Sequence, residues 1–210
     1  MLFKLEPEVL ILLIPVLVFA LVFHEFSHAW VANQLGDPTA KYAGRLTLNP
    51  LAHLDIFGSL MILFVGFGWA KPVPVDSRHL GNPRTDMMKI AFAGPASNLL
   101  LALISGTIIR ATGDMGSITA MLEMFTYINI MLAVFNMIPI PPLDGSQIFS
   151  GFMVRRNPDL VYKLQIYGPQ ILMGLILISM ITSGRISPIH MIISPFVDFF
   201  MIIFAGIPIP

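Results

Sequence analysis

The chain has 210 residues, no cysteine, 56% hydrophobic and only 11% charged residues, with twelve Lys/Arg against twelve Asp/Glu. Soluble domains carry about 25% charged residues, so this composition excludes an ordinary cytosolic protein and points to a polytopic membrane protein, while the balanced charge argues against nucleic acid as the main partner. Without cysteine there is neither a disulfide framework nor a thiolate metal site, and any metal must sit on His, Asp or Glu.

Crossing a bilayer takes about 20 apolar residues. The first such segment runs from Val9 to about Ala32, charge-free to Phe23 and then carrying His24, Glu25 and His28. Lys4 before an apolar run resembles a secretory signal, but Glu6 and Glu8 leave no positive n-region, and His24-Glu25 continues the helix where a cleavage site would fall. A retained helix is expected. Next come 57 residues, Asn33 to Lys89, holding the apolar piece Ile56 to Ala70. Fifteen residues with three glycines are short for a span and suit a re-entrant or interfacial segment. Ahead of it, Lys41 to Leu51 (KYAGRLTLNPL) alternates polar and apolar residues over Arg45 to Leu48, the period of a strand. Such a strand would lend an exposed edge to an extended substrate.

A second span is Ile90 to Ile109, bounded by Lys89 and Arg110. A third starts near Ile118 and continues through an apolar run from Met124 to Leu143; a fourth is Leu164 to Ser183, with Gly168 and Pro169 inside it. A fifth, Ile189 to Ile207, carries Asp198 near its middle and either spans or only dips in. The expected fold class is all-α and polytopic, with four to five transmembrane helices, a re-entrant or interfacial segment, and a short β-hairpin as an optional element. If Ile56 to Ala70 does not cross, Lys41, Arg45, Lys71, Arg78, Arg84, Lys89, Arg155, Arg156 and Lys163 share one side, against Lys4, Arg110 and Arg185 on the other. Nine against three marks that side as cytoplasmic and puts the N-terminus outside.

HEFSH, His24 to His28, is the HExxH pattern inside an apolar helix. Residues four apart share a helical face, so both imidazoles can bind one Zn²⁺ while Glu25 reaches a water at the metal as general base. A buried charge in a span costs at least ~2.5 kcal/mol and is normally kept for function. A catalytic zinc takes three protein ligands and one open position. Candidates for the third are Asp144, Asp55, His53, Asp198 and His190. Asp144 stands out as the only charge in the 31 residues from Met124 to Val154. It closes NMIPIPPLDG (Asn136 to Gly145), where Pro139, Pro141 and Pro142 disfavour a continuing helix, and unwound backbone at membrane depth must line a cavity. With the short segment re-entrant, His24, His28 and Asp144 all fall toward the cytoplasmic half, the histidines roughly 8 to 14 Å deep.

HEFSH in a membrane helix, GRLTLNPLAHLD (Gly44 to Asp55), AGPASN (Ala93 to Asn98) opening the next span and NMIPIPPLDG closing the third resemble, in this order, the site-2 protease family of intramembrane zinc metalloproteases. The resemblance covers roughly Phe23 to Gln147. It implies His24, His28 and Asp144 as ligands of one zinc per chain, Glu25 as catalytic base, and membrane-protein substrates cut within a transmembrane segment. It further implies a single integral membrane metalloprotease domain over 1–210, with a core at 9–147 and C-terminal helices at 160–207, in the minimal form lacking a PDZ or CBS domain, in the cell membrane of a prokaryote.

Asn98 lies about 12 Å into the second span, near the depth of the histidines; it would either donate to the developing oxyanion or tie helices together, and the AGPASN resemblance favours the first. His53 and Asp55 form an HxD pair that could compete as a ligand but is expected either behind the ligands or in a loop–water contact, and His79 and His190 are expected at the interface. Two rival readings are a membrane metal-ion transporter, which would tend to show repeated halves, and a catalytically silent membrane scaffold, which would have no need of Glu25. The oligomeric state is left open.

Overall fold

The computed structural model describes residues 6–65, 68–182 and 185–208. Helix α1 (Pro7–Gln34) is followed by a strap carrying α2 (Thr39–Tyr42), α3 (Pro50–His53), α4 (Ile56–Val65) and a 3-10 turn (Ser77–His79). Then come α5 (Pro83–Thr112), α6 (Ser117–Asn136), α7 (Asp144–Met153), α8 (Pro158–Ile181) and α9 (Pro188–Ala205). Five of these, α1, α5, α6, α8 and α9, are long and apolar enough to span a membrane, so the weak fifth segment takes its place among the spans.

Start signals are written locally. Proline occupies the first turn of α1, α5, α8 and α9, where its missing N–H costs nothing. The Asn82 and Asn157 side chains accept from Thr85 N–H and Leu160 N–H and so cap α5 and α8. At the far end of α9 the Arg110 guanidinium, from α5, donates to the carbonyls of Ile202, Ile203 and Phe204. A cation on the last carbonyls of a helix satisfies acceptors that have no partner within it.

Helix α5 is central, packing on α1, α6, α7 and α9. The bundle interior is small and polar: Ala20, Ala29, Ala32, Ala102, Asn98, Thr126 and Asn129 are buried, and Ser105 and Thr126 share a hydrogen bond of 2.7 Å. Large apolar side chains such as Ile11, Phe19, Phe92, Phe196 and Ile203 point outward. Lipid is as apolar as leucine, so close packing of small residues and interhelical hydrogen bonds hold such a bundle together.

Two expectations are corrected. No strand pair forms in Lys41 to Leu51. Pro38 and Pro50 open short helical turns instead, Asn49 caps α3 through Leu51 N–H, and Arg45 turns inward rather than alternating outward. The one β-bridge among the described residues joins Leu54 to Ala70. It brings the two ends of the α4 segment together. The third span also ends earlier than its apolar run. Helix α6 stops at Asn136, the proline-rich stretch turns, and Asp144 opens α7, an element that the uninterrupted hydrophobicity concealed.

Candidate metal centre

His24 and His28, one turn apart on α1, are 4% and 7% exposed and direct their Nε2 atoms to one point, 3.0 Å from each other. Asp144 Oδ2 lies 3.1 Å from His24 Nε2 and 3.4 Å from His28 Nε2. The three ligand atoms fall within 4.8 Å of one another, and no other group of His, Asp and Glu among the described residues does so.

The backs of the rings decide what these atoms can do. Asn98 Nδ2 donates to Ala20 O at 3.2 Å and to Asn129 Oδ1 at 2.8 Å. A carbonyl oxygen only accepts, so the amide orientation of Asn98 is fixed, and its Oδ1 must face His24 Nδ1, 2.7 Å away. Asn129 is fixed in the same way, since its Nδ2 donates to Phe125 O. The proton of His24 therefore sits on Nδ1. His28 Nδ1 is likewise bonded to Ile90 O at 2.7 Å. In their neutral forms both imidazoles then present Nε2 lone pairs toward a carboxylate, a set of acceptors that a cation would satisfy. Two imidazole nitrogens and one carboxylate oxygen form a donor set that suits zinc and leaves a fourth position for water.

Two close approaches make room for this arrangement. A Cβ on Gly94 would collide with His28 Nε2 and with the His24 ring, so α5 passes the ligands at a distance only glycine permits. A Cβ on Gly145 would strike the Met137 carbonyl, which keeps the turn before α7 tight. That turn is seated from outside: Ile138 and Leu143 are buried with Leu172 and Ile176 of α8 and Ile193 of α9. Asp144 is thus aimed by packing from the C-terminal helices.

The ligands open into a cavity of about 560 Å³. Glu25 lines it beside His24 and makes no side-chain hydrogen bond among the described residues; Trp69, Asn136 and Gln147 also contribute. Asn98 is placed differently from the sequence expectation. Fully buried, with its amide hydrogens engaged by Ala20 and Asn129, it backs His24 rather than facing a reacting oxygen. His53 Nε2 bonds Thr47 O, and Asp55 accepts from Gly58 N–H; neither hydrogen-bonds a ligand. His79 contacts Asp37, His190 is exposed, and Asp198 is half-buried on α9 with no hydrogen bond or ion pair among the described residues. Sequence reasoning passed over Asn129. Its signal was an amide within an apolar span, where a polar side chain needs an interhelical partner.

A polytopic helical bundle with a zinc-type donor set at its centre defines the class: an integral membrane metalloprotein. Comparison with known proteins makes this specific. The family model described as "Peptidase family M50" matches residues 110–179. The chain is 42% identical over 149 residues to "Putative zinc metalloprotease YwhC" of Bacillus subtilis, covering 65% of this chain and 68% of that protein. It is 32% identical over 144 residues to "Putative zinc metalloprotease Rip2" of Mycolicibacterium smegmatis, covering 55% of that protein, and 32% identical over 131 residues to "Putative zinc metalloprotease MJ0611" of Methanocaldococcus jannaschii, covering 63%. It therefore spans little more than half the length of the mycobacterial relative. No solved structure matches it. The chain belongs to peptidase family M50, the site-2 proteases, and is a membrane zinc metalloprotease.

Proposed function

We propose that the chain is an intramembrane endopeptidase that cuts transmembrane segments of other membrane proteins, with His24, His28 and Asp144 holding the zinc and Glu25 as general base. The observation that carries this reading is the convergence of three acceptor atoms on one cavity that Glu25 also lines. When bound, zinc supplies a Lewis acid that polarises the scissile carbonyl and acidifies water. Glu25 takes a proton from the attacking water and returns it to the leaving nitrogen as the C–N bond breaks. Asn98 and Ile90 O hold both imidazoles in the tautomer that keeps Nε2 unprotonated. The chain acts as one domain, since α8 and α9 seat the turn that presents Asp144. The count of basic residues supports a site toward the cytoplasmic half and an outside N-terminus.

Replacement of Glu25 by Gln tests the mechanism. Zinc content should stay at the level of the parent protein while cleavage of a co-expressed membrane substrate falls by about 10²- to 10⁴-fold, the contribution expected of general acid–base catalysis. Cleavage retained by that variant would refute the assignment, and metal flux without cleavage in the parent protein would favour a transporter.

A further inference from the structure

Arg45 is 3% exposed, an unusual place for a guanidinium. It donates through one terminal nitrogen to Ala52 O at 2.7 Å and through the other to Lys71 O. These carbonyls flank the segment from Leu54 to Ala70 that contains α4 and is closed by their bridge, the α4 hairpin: Ala52 stands just before it and Lys71 just after. The same neck is drawn together by the Leu54–Ala70 bridge and by Lys71 N–H donating to His53 O at 2.8 Å. Arg45 Nε has no hydrogen-bond partner among the described residues, so the side chain is not fully satisfied by them. A buried cation is poor stabilisation by itself. Its fork spans two acceptors that no lysine ammonium could bridge in the same way. Burial works against its charge and the Glu25 carboxylate works for it.

The outgoing limb has a second use. Gly68, Trp69, Ala70 and Pro72 form one wall of the cavity into which His24, Glu25 and His28 open. A limb tied at Lys71 keeps that wall in place, and a limb released there would not.

We infer that Arg45 is a positioning residue that latches the two limbs of the α4 hairpin at their neck and so holds the wall of the reaction cavity against the metal centre. The consequence for cleavage rests on the protease reading above, but the latch itself is measurable without it. Because the chain has no cysteine, the pair Leu54→Cys and Ala70→Cys introduces its only thiols. Antiparallel bridge partners lie about 4.5–5.5 Å apart at Cα, within disulfide range.

In the zinc-loaded protein in membranes, oxidation should link this pair readily when Arg45 is present and at least about tenfold more slowly in Arg45→Met, with Arg45→Lys between them; peptide mapping reads the link. Arg45→Met should keep its zinc and lose at least about tenfold in substrate cleavage. Oxidising the cysteine pair in the Arg45→Met background should restore most of that loss, and reduction should abolish the rescue. Equal linking rates with and without Arg45, loss of zinc in Arg45→Met, or failure of the disulfide to rescue cleavage would each overturn the latch. Should Arg45→Met fail to accumulate, Arg45→Gln, which reaches at most one limb, carries the same comparison. If the parent protein cleaves nothing, the protease reading fails while the linking rates still judge Arg45.

Discussion

Asp37, in the strap between α1 and α5, and Asp144, at the head of α7, are both withdrawn from solvent, yet their surroundings differ in kind. Asp37 is fully buried and accepts from Thr39 N–H, the Thr39 hydroxyl, Asp76 N–H and His79. Every contact is a donor, and the carboxylate pins the start of α2 to the limb that leads into α5. Asp144 meets the Nε2 atoms of two imidazoles whose Nδ1 atoms are engaged by Asn98 and Ile90 O. One carboxylate is completed by the protein; the other faces acceptors, and a cation would complete it. Burial therefore does not separate a structural acid from a ligand; the polarity of what faces it does.

Substituting asparagine at each position sharpens this contrast most. Asp144→Asn removes an anionic ligand and should weaken zinc binding by more than about 100-fold, since even residues behind the ligands are worth 10–100-fold. Asp37→Asn should bind zinc normally but lose about 1–3 kcal/mol of stability, because an amide turns donors toward donors. Chelator competition and thermal unfolding in detergent measure the two. Zinc loss in Asp37→Asn, or normal zinc in Asp144→Asn, would erase the distinction.

The contrast also marks how far the sequence could be read. HEFSH was legible because helical periodicity alone puts His24 and His28 on one face, and Asp144 because it is a lone charge beyond three prolines. The spans were legible because lipid demands long apolar runs. What escaped was governed by tertiary partners. The alternation through Arg45 to Leu48 has the period of a strand, but Arg45 finds two carbonyls inside and the segment coils around it. Asn98 has the depth of a catalytic donor, yet Ala20 O and Asn129 decide which way its amide points. Neither partner is visible from the residue's own neighbourhood in the chain.

Gly94 offers a steric way to break the metal region while leaving the strap intact. Gly94→Ala places a methyl on both imidazoles; α5 must withdraw from α1, and zinc affinity should fall by at least about tenfold, as expected when the orientation of ligating histidines is disturbed. Linking of a cysteine pair at the α4 neck should be unaffected. A smaller effect is expected one layer further out. Asn129→Leu frees the Asn98 amide to rotate without touching a ligand, and zinc affinity should drop toward the lower end of the 10–100-fold range seen for supporting residues.

The smallest effect separates the regions by pH. Burial alone would raise the Asp37 carboxyl, but the Thr39 hydroxyl and amide, the Asp76 amide and His79 outweigh it and hold the group below its ordinary value of 3.8. A carboxyl whose folded pKa lies below its unfolded one stabilises the fold above the unfolded value, about 3.9, and loses that contribution as pH falls through the folded pKa. The strap should therefore loosen below about pH 4 while the apolar contacts of α5 and α6 persist. Asp76 adds to the same trend, since the hydrogen bonds of the Arg78 side chain and amide hold its carboxyl low. Limited proteolysis between α1 and α5, followed from pH 5 to pH 3, should show cleavage rising in the parent protein. In Asp37→Asn, cleavage should start higher and rise less, with the residual slope belonging to Asp76 and to Asp86, whose carboxyl Lys89 and the Asn82 amide also hold low. An unchanged slope in that variant would mean that Asp37 carries no pH-dependent share of the strap's stability.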